Sequence, residues 1–521
     1  MYWADKIAEK ITEERGVKKP LIIRDEKTAS GRVHLGSLRG VIIHGIIADV
    51  LKERNVINKY LFEINDFDPM DDLPHYLDKE KFHSYLGRPL YSIPSPDGKA
   101  KNYAEYFADE FKEAIEKTGF QPEYYRSSEI YKSGKFNEVI KEALDKSELI
   151  KKIYKEVSGS VKEEWFPLNV VCEGCGKIMT TRVTSWDGEK VEYVCGDFVN
   201  YAKGCGYKGK ISPFDGNAKL PWKVEWAAKF RVFGVDVEGG GKDHSTKGGS
   251  RDVANNISKE VFNYPPPFDI PYEFFQHGGK KMSSSKGVGS SAKEVADLLP
   301  TEILRLLVLQ KEPQKVIEFD IEGDTIPTLF DSYDSMAEHY NLKKEDDYSR
   351  LFELIHPTGE MDAIKSRFRP RFSLVSFLVQ MPHTDFMIEI EKLKGEKLSA
   401  EDKKEAEERR NCAILWLKLY APLKYKFELQ KTLPSIAKDL SDIQKEALKK
   451  VLDFVKTSST LDGQGFHTRL HEIKEELSIE PKEMFSALYM IFLGKTSGPK
   501  AGWFLGVLDK KFLENRLKEA I

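Results

Sequence analysis

One stretch, Leu21 to Leu51, limits most tightly what this chain can become. An apolar run, Leu21-Ile22-Ile23, gives way to Thr28-Ala29-Ser30-Gly31 and then to His34-Leu35-Gly36-Ser37. Beyond it, Val41, Ile42, Ile43, Ile46, Ile47, Val50 and Leu51 make a segment too apolar for a surface helix. The stretch reads as strand, turn and core helix. A helix opening behind such a turn presents unpaired backbone N–H groups and a positive dipole end above the strand, a setting that suits phosphate. Thr28 or Ser30 can add hydroxyls, Gly31 and Gly36 let a ligand approach the main chain, and His34 adds a side-chain donor. On these residues alone, a capped core helix with a histidine at its mouth stays open as the other reading.

A second apolar run, Lys59 to Asn65, reads as the next strand of a βαβ crossover, with Asp66, Asp68, Asp71 and Asp72 at its carboxyl end. Of these four, Asp66 is the one expected to face a ligand. Lys219 to Trp226 reads as a return to the sheet, and Val235 to Glu238 as a further strand running into Gly239-Gly240-Gly241-Lys242-Asp243-His244. Glycines there allow close approach of a ligand, and Asp243 can meet ribose hydroxyls. Tyr272 to Phe275 reads as a short strand before Gly278-Gly279-Lys280-Lys281-Met282-Ser283-Ser284-Ser285-Lys286-Gly287. Lysines and hydroxyls on a glycine-hinged loop can close over a polyphosphate.

Four of the five cysteines fall in the stretch before Lys219: Cys172, Cys175, Cys195 and Cys205. A pair two residues apart closes on one tetrahedral metal ion, and a second pair brought in by a hairpin completes a four-sulfur zinc site. Such a site has no open position, so the zinc would be structural; free core thiols and a disulfide are the alternatives. The chain begins with Trp3, Ile7 and Ile11 at helical spacing rather than with a basic and then apolar leader, and no apolar run approaches a membrane span. A cytoplasmic protein is expected. Net charge is only −3, from 81 Lys and Arg against 84 Asp and Glu, so contact with a polyanion must come from local patches. One such mixture is Lys418, Lys424, Lys426 and Lys431 interleaved with Trp416, Tyr420, Tyr425 and Phe427, where helix core is the other reading of the aromatics.

His34-Leu35-Gly36-Ser37 and Lys281-Met282-Ser283-Ser284-Ser285 resemble, in order and placement, the HIGH and KMSKS signatures of class I aminoacyl-tRNA synthetases. Within that class the chain is similar to the lysyl-tRNA synthetases of archaeal type, through Thr28-Ala29-Ser30-Gly31, Pro221 to Trp226, Gly240 to His244, and Gly498-Pro499-Lys500-Ala501-Gly502. The resemblance implies an α/β fold: a Rossmann-like parallel-sheet catalytic domain over 1–287 with a zinc-binding insertion at about 160–212. A helical region contacting the tRNA stem at 288–340 and an all-α anticodon-binding domain at 341–521 would follow.

The implied reaction joins L-lysine to ATP, with Mg²⁺, as lysyl-adenylate, then moves the lysyl group to the 3′ end of tRNA(Lys). A synthetase for another amino acid, or a small-molecule nucleotidyltransferase of related architecture, stays open as an alternative. ATP would be held by Thr28, Ser30, Gly31, His34, Gly36, Ser37, Gly240, Asp243, Lys281, Met282, Ser283 and Ser285. Lysine would meet Asp25, Glu26, Trp222, His244 and Tyr272, and His34, Lys281 and Lys286 would act on the transition state. Two departures stand out: Ser37 replaces the second histidine of HIGH, and Ser284 the second lysine of KMSKS. Lys286 is the expected substitute for the latter.

Overall fold

The computed structural model describes every residue except 18, 163–164, 283–288, 357–360, 382–384 and 460, and gives the backbone alone at 281, 362 and 363. The chain divides into two units, Met1–Phe319 with Lys343–Thr358, and Asp320–Leu342 with Gly359–Ile521.

In the first unit, helix α1 (Trp3–Arg15) precedes strand β1 (Leu21–Thr28) and helix α2 (Gly36–Glu53). Strand β1 pairs in parallel with β2 (Asn58–Asn65), Leu21 opposite Asn58 and Thr28 opposite Asn65, and β2 pairs in parallel with β3 (Glu123–Arg126). On the other side of β1, Ile22 and Arg24 exchange backbone hydrogen bonds with Asp236 and Val237. Val237 in turn bridges Phe268 in parallel, and Gly240–Gly241 pairs in parallel with Pro271–Tyr272. Across the sheet the order is third, second, first, fourth, fifth along the chain. This is a doubly wound order, and it places the ligand edge at the carboxyl ends of the strands flanking β1.

The apolar sequence of α2 is explained by its burial: it packs against β1 and β2 and against α1, so Leu38, Val41, Ile42, Ile43, Ile46 and Ile47 are all enclosed. The helix Trp222–Phe233 serves the opposite face, where Lys229 meets Glu26 of β1 and Glu63 of β2 and pairs with Glu225 of its own helix. Lys219 to Trp226 is therefore not a strand. Only Ala218–Lys219 is extended, and it pairs antiparallel with Asn169–Val170, so the two ends of an inserted subdomain are joined there. Pro221 is the extended N-cap residue of the helix that begins at Trp222. Within the insertion, Thr181–Trp186, Val191–Cys195 and Lys208–Ile211 form an antiparallel sheet.

Asp25 and Glu26 lie inside β1, which continues past the apolar run Leu21-Ile22-Ile23 to Thr28. Asp66 does not face a ligand: it is buried and accepts hydrogen bonds from the Ser127 hydroxyl and from the backbone and hydroxyl of Ser128, at the start of the helix Ser127–Lys132. The unpaired donors at that helix start attract a carboxylate brought in from β2, and Asp68 takes the position facing the cleft.

The second unit is helical, from Thr325–Asn341 through Ala400–Leu419 and Asp442–Thr457 to Lys510–Ala520. Trp416, one of the aromatics interleaved with lysines, is fully buried there and donates to the Ile321 carbonyl. Among the described residues no helix is long and apolar enough to cross a membrane.

Candidate active site

At the carboxyl edge of the sheet lies a cavity of about 390 Å³. Of the residues singled out from the sequence, it brings together Asp25, Glu26, Thr28, Ser37, Trp222, Gly240, His244 and Tyr272. Trp222 stacks on Trp226 with ring centroids 5.8 Å apart, and His244 closes the wall at 5.2 Å from Trp222. On the facing side the Asp25 carboxylate and the Tyr272 hydroxyl converge over Gly40: a Cβ on Gly40 would lie 2.8 Å from Tyr272 Oη and 2.9 Å from Asp25 Oδ2. Only glycine leaves that space.

Beneath the cavity, ionic groups from separate segments of the chain meet. Arg24, fully buried, donates through Nη1 to both Glu238 oxygens at 2.8 Å and pairs with Glu26 and Glu63. Its Nε donates to Tyr125 Oη at 2.7 Å. Lys229 lies 2.8 Å from Glu63, 2.9 Å from Glu26 and 3.3 Å from Glu225. Lys219 lies 2.6 Å from Glu225 and 3.0 Å from Asp68. Three cations thus face five carboxylates, and the two carboxylates that reach the cavity from this network with some exposure, Glu26 and Asp68, are each 23% exposed. The excess is negative and opens towards the cavity, which favours a cationic ligand. Burial works against ionised Glu26, but Lys229 and Arg24 outweigh it and hold its pKa well below the ordinary carboxylate range. Burial instead dominates at Glu238, whose pKa is raised despite Arg24.

Asp25 differs from the other lining carboxylates in having no lysine or arginine paired to it among the described residues. Its neighbour is His44 Nδ1 at 3.4 Å. Burial pushes the His44 pKa down, but the Asp25 charge and the Gly40 carbonyl raise it overall. The hydrogen bonds nevertheless define a neutral ring, since Nε2 accepts from the Gly239 N–H at 2.8 Å while Nδ1 faces the Gly40 carbonyl at 2.7 Å.

The two signatures come together through their flanks. Leu35 N–H bonds to the Ser290 carbonyl at 3.0 Å, His34 bridges Ser291, and Ala292 N–H bonds to the Val33 carbonyl at 2.8 Å. On the near side, Phe275–His277 pairs with Lys280–Lys281 across Gly278 and Gly279, whose φ values of 56° and 73° suit glycine. Met282 is buried and anchors the hairpin against Gly289. Arg39 of α2 adds a tie, donating to the carbonyls of Glu273, Pro313 and Lys315, and burial pulls its pKa down to about 10. Ser283, Ser285 and Lys286 lie outside the described residues, and Lys281 is placed by its backbone. The α2 N-terminus has no side-chain cap, and the His34 ring rests against Gly36, where a Cβ would come within 2.7 Å of it. Ser30, Gly31, His34 and Gly36 border the turn rather than the cavity, and Asp243 is exposed beside it.

Sequence reasoning misses Arg24, Lys27, Asp68, Trp226 and Glu238. One signal is present: Arg24-Asp25-Glu26-Lys27 puts four charges in succession inside a strand whose core position is otherwise apolar.

In the insertion, the four Sγ atoms of Cys172, Cys175, Cys195 and Cys205 lie within 4.8 Å of one another. Cys172 and Cys205 are 3.6 Å apart and Cys175 and Cys195 3.8 Å. A tetrahedron with metal–sulfur bonds of about 2.3 Å has edges of about 3.8 Å, whereas a disulfide requires about 2.05 Å. The cluster fits a metal ion. Cys195 Sγ also accepts from Cys205 N–H at 3.4 Å, the kind of outer contact that orients a thiolate ligand.

A doubly wound sheet with one signature at the first helix start and the other after the fifth strand defines an ATP-dependent synthetase of class I. Residues 1–358 match the family described as "tRNA synthetases class I (K)", to which the chain belongs, and residues 419–521 match "Anticodon binding domain". The chain is 35% identical over 546 residues to "Lysine--tRNA ligase" of Methanosarcina barkeri (strain Fusaro), covering 100% of this chain and 98% of that protein. It is 36% identical over 541 residues to "Lysine--tRNA ligase" of Methanocaldococcus jannaschii, covering 99% of each. The protein of the same name from Archaeoglobus fulgidus is 31% identical over 523 residues, with both chains covered completely.

Proposed function

We infer that the protein activates L-lysine with ATP and transfers it to tRNA(Lys). The cavity is the observation that carries this reading: its floor has an excess of carboxylates, its wall is aromatic, and it opens at the start of α2. Asp25 receives the ε-ammonium, because Glu26, Glu238 and Asp68 already face Arg24, Lys229 or Lys219. Tyr272 Oη adds a hydrogen bond, and Trp222, Trp226 and His244 enclose the methylenes.

ATP lies over the α2 N-terminus, with Thr28, Ser30, Gly31, His34, Gly36 and Ser37 along its phosphates and Gly240 and Asp243 near the ribose. One oxygen of the lysine carboxylate bonds to the α-phosphorus, and the bond to pyrophosphate breaks. A ribose hydroxyl of the tRNA then attacks the carbonyl carbon and AMP leaves. No protein nucleophile takes part, so alignment and charge stabilisation supply the rate. Lys281 and Lys286 act on the departing pyrophosphate, with Met282, Ser283 and Ser285 shaping their loop. Mg²⁺ accompanies the nucleotide.

The four cysteines hold one zinc, whose role is structural because sulfur fills every position. The helical second unit reads the anticodon, and the protein works in the cytoplasm. The test is charging of tRNA with labelled lysine and ATP, the other amino acids serving as controls. Lysine alone should be incorporated; charging with another amino acid and not lysine would refute the reading.

A further inference from the structure

We propose that Lys27 binds the α-carboxylate of the lysine substrate, so that two charges of opposite sign on one strand face set the direction in which the amino acid lies. The proposal rests on the lysine reading above and adds to it a residue that the sequence pattern does not single out.

Side chains alternate along a strand, so Asp25 and Lys27 project from the same face of β1, towards α2, while Arg24 and Glu26 project from the other. Both line the cavity, together with Ser37 at the start of α2. Lys27 is two residues nearer the carboxyl end, which is about 6.6 Å along a strand. That separation is comparable with the length of an extended lysine side chain. A substrate with its ε-ammonium at Asp25 therefore brings its carboxylate to Lys27, beside the helix start where the α-phosphate of ATP would lie. The reverse orientation sets ammonium against ammonium.

Lys27 is also unlike the other cations near the cavity. Arg24, Lys219 and Lys229 each face at least two carboxylates within 4 Å, whereas Lys27 makes no hydrogen bond or ion pair with a described residue. Burial holds its pKa below the ordinary lysine value, against the opposing pull of Asp25 and Glu26. An ammonium partly withdrawn from water with no carboxylate in ion-pair contact among the described residues is costly, and an incoming carboxylate relieves that cost. Holding one carboxylate oxygen leaves the other free to attack phosphorus.

The experiment compares lysine with cadaverine, which keeps the chain and the ammonium but has no carboxylate. The full-length protein, with ATP and tRNA, gives a KM for lysine and a Ki for cadaverine. In Lys27→Met the KM for lysine should rise roughly tenfold to a hundredfold, the loss expected of a charge-assisted hydrogen bond. The Ki for cadaverine should stay unchanged or fall, which also shows that the cavity is folded. Lys27→Arg should recover part of the lysine affinity. Equal weakening of both ligands, an unchanged KM for lysine, or an effect confined to the KM for ATP would each overturn the proposal while leaving the lysine reading intact. Failure of the unsubstituted protein to charge lysine would instead remove the reading beneath it.

Discussion

Two polar clusters inside the first unit are assembled in opposite ways. The four cysteines lie within Cys172 to Cys205, a short loop of chain, and their spacing alone points to a tetrahedral site. The ionic cluster draws Arg24 and Glu26 from β1, Glu63 from β2, Lys219, Glu225 and Lys229 from the chain around the helix Trp222–Phe233, and Glu238 from the fourth strand. A thiolate cluster is balanced by an added ion. The ionic cluster is balanced only in part from within, and its excess of carboxylate lies at the cavity.

Removing the metal should give the largest effect. A structural zinc contributes an apparent folding free energy of about 10–16 kcal/mol in small peptide sites, far more than one side-chain contact. Chelation, or Cys172→Ser, should therefore abolish about one equivalent of bound zinc and expose the backbone of Thr181–Trp186 and Val191–Cys195 to hydrogen exchange. Amides of β1 and β2 should keep their protection, since their bonds do not pass through the insertion. Loss of protection throughout both sheets would break the distinction between a local cluster and a distributed one.

Lys229→Met tests the other cluster. Removing one partner of a buried pair leaves carboxylates without compensation and typically costs about 3–5 kcal/mol. Here Glu26, Glu63 and Glu225 would all lose a cation, so a large shift of the urea midpoint is expected. A shift no greater than that of an exposed control such as Lys52→Met would mean that the network is not what holds these segments together.

The contrast also explains what is legible in the chain. The β1–turn–α2 unit, the cysteine cluster and both signatures are local patterns, so their residues identify them without knowledge of the fold. Asp66 and Asp68 show the limit: both follow β2, and only the position of the Ser127–Lys132 helix decides that Asp66 bonds to its first residues while Asp68 faces Lys219. Lys219 to Trp226 reads as a return to the sheet, yet from Trp222 it is a helix that buries Glu225 and Lys229, one turn apart, on one face. Lys27 escapes a reading of the sequence because its meaning depends on making no ion pair with a described residue where Arg24, Lys219 and Lys229 do, and that is a property of the whole cluster.

The second signature supplies a prediction of intermediate size. It is as local as the cysteines, but the role proposed for it, like that of the ionic cluster, works through charge. Ser284 replaces the lysine that would face the departing pyrophosphate, and Lys286, two residues on, is the proposed substitute. Loss of one preorganised donor to a developing oxyanion costs about 2.7–4 kcal/mol, a hundredfold to a thousandfold in rate. Lys281→Ala and Lys286→Ala should each slow single-turnover adenylate formation by that order, with a smaller change in ATP affinity. If Lys286→Ala forms adenylate at the unmodified rate, Lys280 is the next residue to test.

The smallest effect comes from a third polar cluster at the edge of the same sheet. Glu105 lies in the first turn of the helix Tyr103–Lys117, 2.8 Å from Arg126 Nε at the end of β3 and 3.3 Å from Lys112 Nζ. Burial raises its pKa, but Arg126 and Lys112 outweigh burial and lower it overall. A carboxylate whose folded pKa is depressed stabilises the fold above its unfolded pKa, about 4.3 for glutamate, and that contribution disappears as pH falls through the folded value. At pH 7 Glu105→Gln should therefore cost only about 0.5–1 kcal/mol, because solvent screens part of the pair. The difference from the unsubstituted protein should narrow steadily below about pH 4, as expected for a carboxylate of ordinary unfolded pKa. Urea unfolding at a series of pH values measures both. A difference that persists undiminished into acid would assign the cost to packing or to the helix start rather than to charge, and would separate this cluster in kind from the buried one.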